Sequence, residues 1–196
     1  MIKRSRADAI DCVRNEMNND RIEIVHGSIT QQKVGAIVNP ANWTLLGGGG
    51  VDGAIHHAAG PRLLAECRRL HGCETGQAKV TNGYKLPARH VIHTVGPVWR
   101  GGDHGEDELL ASCYRECFRL VSERRISTIA FPAISCGSYK FPLERATKIA
   151  FDEVRKGLSA NPALEKVVFV CLNKEVVEMY QKVQSMSCGE VDARGL

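Results

Sequence analysis

The chain reads as an α/β protein, a three-layer α/β/α sandwich whose central sheet is covered on both faces. Short apolar runs alternate with longer stretches in which apolar residues recur at helical spacing. Strands of that kind, interleaved with amphipathic helices, belong in a sheet with helices on both sides. The 196 residues, 43% hydrophobic and 24% charged, suffice for one domain with a full core.

Strands are expected over residues 22–26 and 35–39, and a glycine-rich stretch then leads into a helix over 51–59. A second helix over 61–70 begins with Pro61, whose missing N–H costs nothing in a first turn. Strands follow at 78–81 and 91–95. The helix over 106–124 gathers Leu109, Leu110, Cys113, Tyr114, Cys117, Phe118, Leu120 and Val121 on one face, which makes its two cysteines core fillers rather than metal ligands. After a strand at 128–132, the helix over 143–158 repeats Leu143, Ala146, Ile149, Ala150, Val154 and Leu158 as one buried stripe. A strand at 167–172 and a helix at 174–183 complete the domain, assigned to residues 21–184. Residues 1–20 are expected to form an extension with a short helix at 7–17, and 185–196 a frayed tail without periodicity.

The net charge of +4 is scattered, apart from Lys3-Arg4-Ser5-Arg6, Arg68-Arg69 and Arg124-Arg125. That bias suits an anionic small molecule and does not form a nucleic-acid stripe. Eight cysteines include no C-x-x-C pair, and there is neither a secretory segment nor a run of 18 apolar residues. The expectation is a reduced, cytoplasmic protein with no membrane attachment.

The chemistry concentrates after the second strand. Asn39-Pro40-Ala41-Asn42 closes that strand, and Gly47-Gly48-Gly49-Gly50-Val51-Asp52-Gly53 follows before the helix. Successive glycines let backbone N–H groups approach an anion, and a helix N-terminus adds a positive dipole end. Asp52 there is either a catalytic acid beside a phosphate or a helix-capping charge. Gly48, Gly50 and Gly53 also satisfy the G-x-G-x-x-G dinucleotide fingerprint, but the strand ends eight residues before the first glycine, and the nearest acids at the required distance, Glu66 and Glu74, follow a helix. A nicotinamide oxidoreductase is therefore disfavoured. The loop Ala133-Ile134-Ser135-Cys136-Gly137-Ser138-Tyr139 again follows a strand and precedes a helix. Two anion-friendly loops at carboxyl ends of strands favour a diphosphate over a monophosphate. Histidines are dispersed: His56 and His57 point to different sides of a helix, and His93 in an apolar run reads as a core residue. No metal site is expected.

Several ordered motifs together resemble the macrodomain family, in the branch of bacterial O-acetyl-ADP-ribose deacetylases and MacroD-type proteins. They are Val38-Asn39-Pro40-Ala41-Asn42, Leu46 through His56, Ala58-Ala59-Gly60-Pro61, Thr75-Gly76, Leu86-Pro87-Ala88, His93-Thr94-Val95-Gly96-Pro97 and Phe131-Pro132-Ala133-Ile134-Ser135. The resemblance implies a central mixed sheet and a cleft for ADP-ribose or O-acetyl-ADP-ribose, with mono-ADP-ribosylated proteins as a further partner class and no cofactor. It assigns ligand contacts to Ser28, Ile29, Asn42, Gly49, Gly50, Val51, Asp52, Ser135, Cys136, Gly137, Ser138 and Tyr139. Asn42 and Asp52 would orient the distal ribose and the attacking water, Asp52 as base. A module that binds ADP-ribose without turnover is the alternative. Ser28 and Leu172 depart from the family pattern, which commonly places an aspartate and an aromatic residue around adenine. Cys136 stands where threonine is common, and as a thiol near a helix N-terminus it is weighed as a nucleophile against a small loop residue.

Overall fold

The structure, a computed structural model, describes residues 18–186. The helix expected at 7–17 and the tail beyond 186 lie outside the described residues. Six strands form one sheet in the order β1-β6-β5-β2-β4-β3: β1 (Ile22–His26), β2 (Ala36–Pro40), β3 (Ala78–Asn82), β4 (His90–Thr94), β5 (Thr128–Phe131) and β6 (Lys166–Cys171). All neighbours run parallel except β3, which pairs antiparallel with β4 at one edge. The sheet is therefore mixed.

Five α-helices flank it among the described residues: α1 (Gly50–Ala59), α2 (Pro61–Arg68), α3 (Glu106–Glu123), α4 (Leu143–Ala160) and α5 (Lys174–Met186). Residues 185 and 186, read above as the start of the tail, are thus helical. Helix α2 stops two residues short of the expected end, because the N–H groups of Arg69 and Leu70 turn back to Glu66 and Cys67 in tighter three-residue bonds. His71 and Gly72 then take positive φ and end the helix.

Alternate strand residues face opposite layers. Ile37, Val91, Ala130 and Val168 pack with Ile55, Leu63 and Cys67 of α1 and α2. Val38, Ile92, Phe131 and Phe169 pack with Cys113, Tyr114, Phe118, Phe151 and Tyr180 of α3, α4 and α5. Burying a side chain of this size is worth about 1.5–3 kcal/mol. Cys113 and Cys117 are fully buried core residues, as their spacing implies. No helix among the described residues is long and apolar enough to cross a membrane.

The connections position the site. Strands β2 and β5 lie side by side in the middle of the sheet, yet β2 leads to α1 on one face and β5 to α4 on the other. Their outgoing loops diverge and open a crevice at the carboxyl ends. One wall is braced by Glu106, whose buried carboxylate accepts hydrogen bonds from the N–H groups of Arg100 (3.0 Å), Gly102 (3.2 Å) and His104 (2.7 Å). In the same segment the Trp99 N–H donates to Tyr139 O at 2.9 Å, and its ring packs 4.8 Å from Phe141. Burial raises the Glu106 pKa, but these backbone donors outweigh it and bring the value from its ordinary 4.5 down to about 2. Because the folded value lies below the unfolded one, the stabilisation is present above about pH 4.5 and fades as pH falls towards 2. Glu106→Gln should accordingly melt several degrees lower than the parent chain at pH 7, and the gap should close near pH 2 in a melting series across that range.

Candidate active site

A cleft of about 510 Å³ lies over the carboxyl ends of β2 and β5. The loop after β2 and the first turn of α1 supply one wall, with Asn42, Gly48, Gly49, Gly50, Val51 and Asp52. The loop after β5 supplies the other, with Ser135, Gly137, Ser138 and Tyr139. The two loops expected to grip an anion therefore face one another. Gly49 is the N-cap of α1, so the N–H groups of its first turn have no intrahelical acceptor and are available to an anion. The turn is tight at Gly53, where a Cβ would overlap the carbonyl oxygen of Gly48.

The facing loop is strained. Ser135 sits at φ 63° and is buried, and its Oγ has no hydrogen-bond partner. A non-glycine residue held there costs about 1–3 kcal/mol. The loop is pressed against Gly96 after β4, where a Cβ would overlap Ser135 Oγ and stand 2.9 Å from Ile134 Cγ2. Cys136 is the one residue of the expected set in this loop that does not line the cleft. Its Sγ points to Ile134 O at 3.4 Å, and burial pushes its pKa up to about 12, so the thiol is not a nucleophile at neutral pH.

Ser28, Ile29 and Val51 line a small adjoining pocket of about 60 Å³ together with Pro132, Val170 and Leu172. The Ser28 hydroxyl caps the short 3-10 turn Ile29–Gln31 and pairs with Thr30 Oγ1 at 2.8 Å. Leu172 is 62% exposed and borders both cavities. This end of the cleft is apolar and carries no charged acceptor.

Asp52 is the only acidic residue of the cleft lining, and it is 5% exposed. Its Oδ1 accepts a hydrogen bond from Asn39 Nδ2 at 2.7 Å and lies 3.5 Å from His56 Nε2, while Oδ2 has no hydrogen-bond partner in the protein. Burial raises the Asp52 pKa, and the Asn39 hydrogen bond and the charge of His56 oppose that rise. Asn42 is partly committed to its own loop: Oδ1 accepts from Thr44 N at 3.0 Å and Nδ2 donates to Gly47 O at 2.8 Å, leaving one N–H for a ligand.

Sequence reading did not find Asn39 or His56 as neighbours of Asp52. Asn39 lies in the motif that marks the strand end, and His56 stands one helical turn after Asp52, a spacing that puts both on one face. His93 is fully buried as expected. It joins His56 and Cys67 in a group whose potential ligand atoms lie within 4.8 Å of one another, drawn from β4, α1 and α2. No sequence spacing signals that convergence.

A family model described as "Macro domain" matches residues 38–150. A "Macro domain-containing protein" of Methanosarcina mazei is 58% identical over 173 residues, covering 88% of this chain and 92% of the relative. An "O-acetyl-ADP-ribose deacetylase" of Enterobacter cloacae is 46% identical over 176 residues, 88% of this chain and 98% of the relative. Among solved structures, the Trypanosoma brucei macrodomain in complex with ADP-ribose superposes with a TM-score of 0.78 at 44% identity, covering 83% of this chain and 68% of that one.

Because the folded pKa of Asp52 lies above its ordinary 3.8, folding favours the protonated acid, and the contribution to stability falls as pH rises through the folded value. Asp52→Asn keeps the shape and removes the charge. It should melt higher than the parent chain at pH 7, with the gain vanishing below about pH 3.8. A lower melting temperature at pH 7 would contradict this electrostatic assignment.

Proposed function

The chain belongs to the macrodomain family, and on that premise we propose that it binds ADP-ribose and hydrolyses an ester on the distal ribose. The substrate is O-acetyl-ADP-ribose, giving ADP-ribose and acetate, or a protein whose acidic side chain carries ADP-ribose through the same kind of ester. The observation that carries the reading is Asp52: a buried carboxylate on the cleft wall, held through Oδ1 by Asn39, with Oδ2 free of protein hydrogen bonds.

In this reading the glycine loop and the loop Ser135 to Tyr139 hold the diphosphate through backbone N–H groups. Asp52 Oδ2 takes a proton from water as the water oxygen attacks the acyl carbon. N–H groups at the start of α1 steady the oxyanion. The intermediate collapses by breaking the bond between the acyl carbon and the ribose oxygen, and the proton returns from Asp52 to that oxygen. Burial that raises the Asp52 pKa makes it a stronger base than a free carboxylate. The remaining Asn42 N–H orients the ribose. This route uses neither a metal ion nor a cofactor. The site of action is taken to be the cytoplasm, where thiols such as Cys113 and Cys117 stay reduced. ADP-ribose binding without turnover is the second reading, favoured by the commitment of Asn42 Oδ1 to Thr44.

Acetate release from O-acetyl-ADP-ribose, measured alongside calorimetric titration with ADP-ribose, tests the proposal. Asp52→Ala should lower turnover by about 10²–10⁴-fold while ADP-ribose affinity stays within a few-fold. Wild-type binding without acetate release would favour the binding module. In the same titration Gly96→Ala should weaken ADP-ribose by at least about tenfold, because its Cβ displaces Ser135 and the phosphate loop. Wild-type affinity in that variant would remove the loop from the binding account.

A further inference from the structure

Asn39 is fully buried, and its amide makes an unequal set of contacts. Nδ2 lies 2.7 Å from Asp52 Oδ1 and 3.0 Å from His93 Nδ1, whereas Oδ1 has no partner. An amide turned the other way would set its oxygen against a carboxylate oxygen, so the nitrogen must face Asp52. That nitrogen carries two hydrogens and no lone pair, so His93 Nδ1 can only be the acceptor. A neutral imidazole that accepts at Nδ1 carries its proton on Nε2. The atom facing Nε2 at hydrogen-bond distance is Thr81 Oγ1, 2.9 Å away on β3, with Cys67 Sγ farther off at 3.8 Å.

We propose that Thr81 and His93 are positioning residues for the ester hydrolysis: Asp52 orients the Asn39 amide and so sets the His93 tautomer, Thr81 accepts the Nε2–H and anchors the ring, and the anchored ring keeps the Asn39 amide on Asp52 Oδ1. This rests on the hydrolase reading given above. The same tautomer argues against a metal ion among His56, Cys67 and His93, since the His93 nitrogen nearest Cys67 bears a hydrogen rather than a lone pair. Burial and the charge of His56 together lower the His93 pKa to about 3, so the ring stays neutral through the working pH range.

The groups that face the chain from the surrounding elements are His56 from α1 and Cys67 from α2. Cys67 has its thiol pKa raised by burial to about 11 and is uncharged at neutral pH. Thr81 touches neither cavity of the cleft. Removing its hydroxyl leaves the buried Nε2–H without an acceptor, which loosens the ring and, through the Asn39 amide, the hydrogen bond that stabilises the Asp52 charge.

The test uses the full chain. Histidine ¹⁵N–¹H spectra report which nitrogen carries the proton, and the kcat–pH profile reports the Asp52 ionisation in the complex. The wild-type chain should show His93 with the proton on Nε2. Thr81→Val should shift or broaden the His93 resonances with the proton still on Nε2, raise the acidic limb of the kcat profile and lower kcat, with the ADP-ribose Kd unchanged. Thr81→Ser should restore all three. An Nδ1–H tautomer in the wild type, or a folded Thr81→Val chain with wild-type His93 resonances and kcat profile, overturns the proposal. Should the chain release no acetate at all, the hydrolase reading fails instead, and the spectra of the wild type and Thr81→Val still decide whether Thr81 holds the His93 ring.

Discussion

A carboxylate buried in the wall of a cleft needs a donor that holds it, and for Asp52 that donor is the Asn39 amide at 2.7 Å. The bond joins the end of β2 to the first turn of α1, so it sets where the glycine loop enters the helix. Because α1 starts at Gly50, its first turn lies on the cleft wall with N–H groups that have no intrahelical acceptor. The cost is electrostatic: Asp52 ionises against its own burial, which is destabilising. The fold meets that cost with the two hydrophobic layers packed on either side of the sheet.

The second constraint is topological. Parallel strands β2 and β5 are neighbours whose following helices lie on opposite faces, so their loops cannot share a path and a crevice results. The loop after β5 is held under strain at Ser135 by contact with bare Gly96, and from outside by Trp99. The far end of the cleft is different in character. Ser28 is occupied by Thr30, and the surrounding Ile29, Val170 and Leu172 offer only apolar surface. Grip on a nucleotide is therefore expected to come mostly from backbone N–H groups in the middle of the cleft.

Much of this was legible in the sequence, for identifiable reasons. The strands announced themselves as apolar runs and shifted by no more than a residue at either end, because burial on both faces leaves little choice of register. Helix α4 was legible from its stripe. The end of α2 was not, since its last turn depends on local backbone bonds and on the left-handed His71 and Gly72 rather than on periodicity. The two cleft loops could be placed together because glycines, hydroxyls and strand ends are local signals. The turn of Cys136 away from the cleft, the commitment of Asn42 to Thr44, and the chain from Thr81 through His93 and Asn39 to Asp52 could not, because each depends on side-chain direction that spacing along the chain does not give. An apolar run containing one histidine points to a core residue, as it proved, but does not reveal what that histidine holds.

The account turns on water attacking the acyl carbon with Asp52 as base, and the fate of the water oxygen tests it most directly. Hydrolysis of O-acetyl-ADP-ribose in ¹⁸O-enriched water, followed by mass spectrometry of both products, should place the label in acetate and no more in ADP-ribose than free ADP-ribose takes up from the same water. Label in ADP-ribose above that level would mean that the bond between ribose carbon and oxygen breaks instead, which contradicts the mechanism assigned to this cleft.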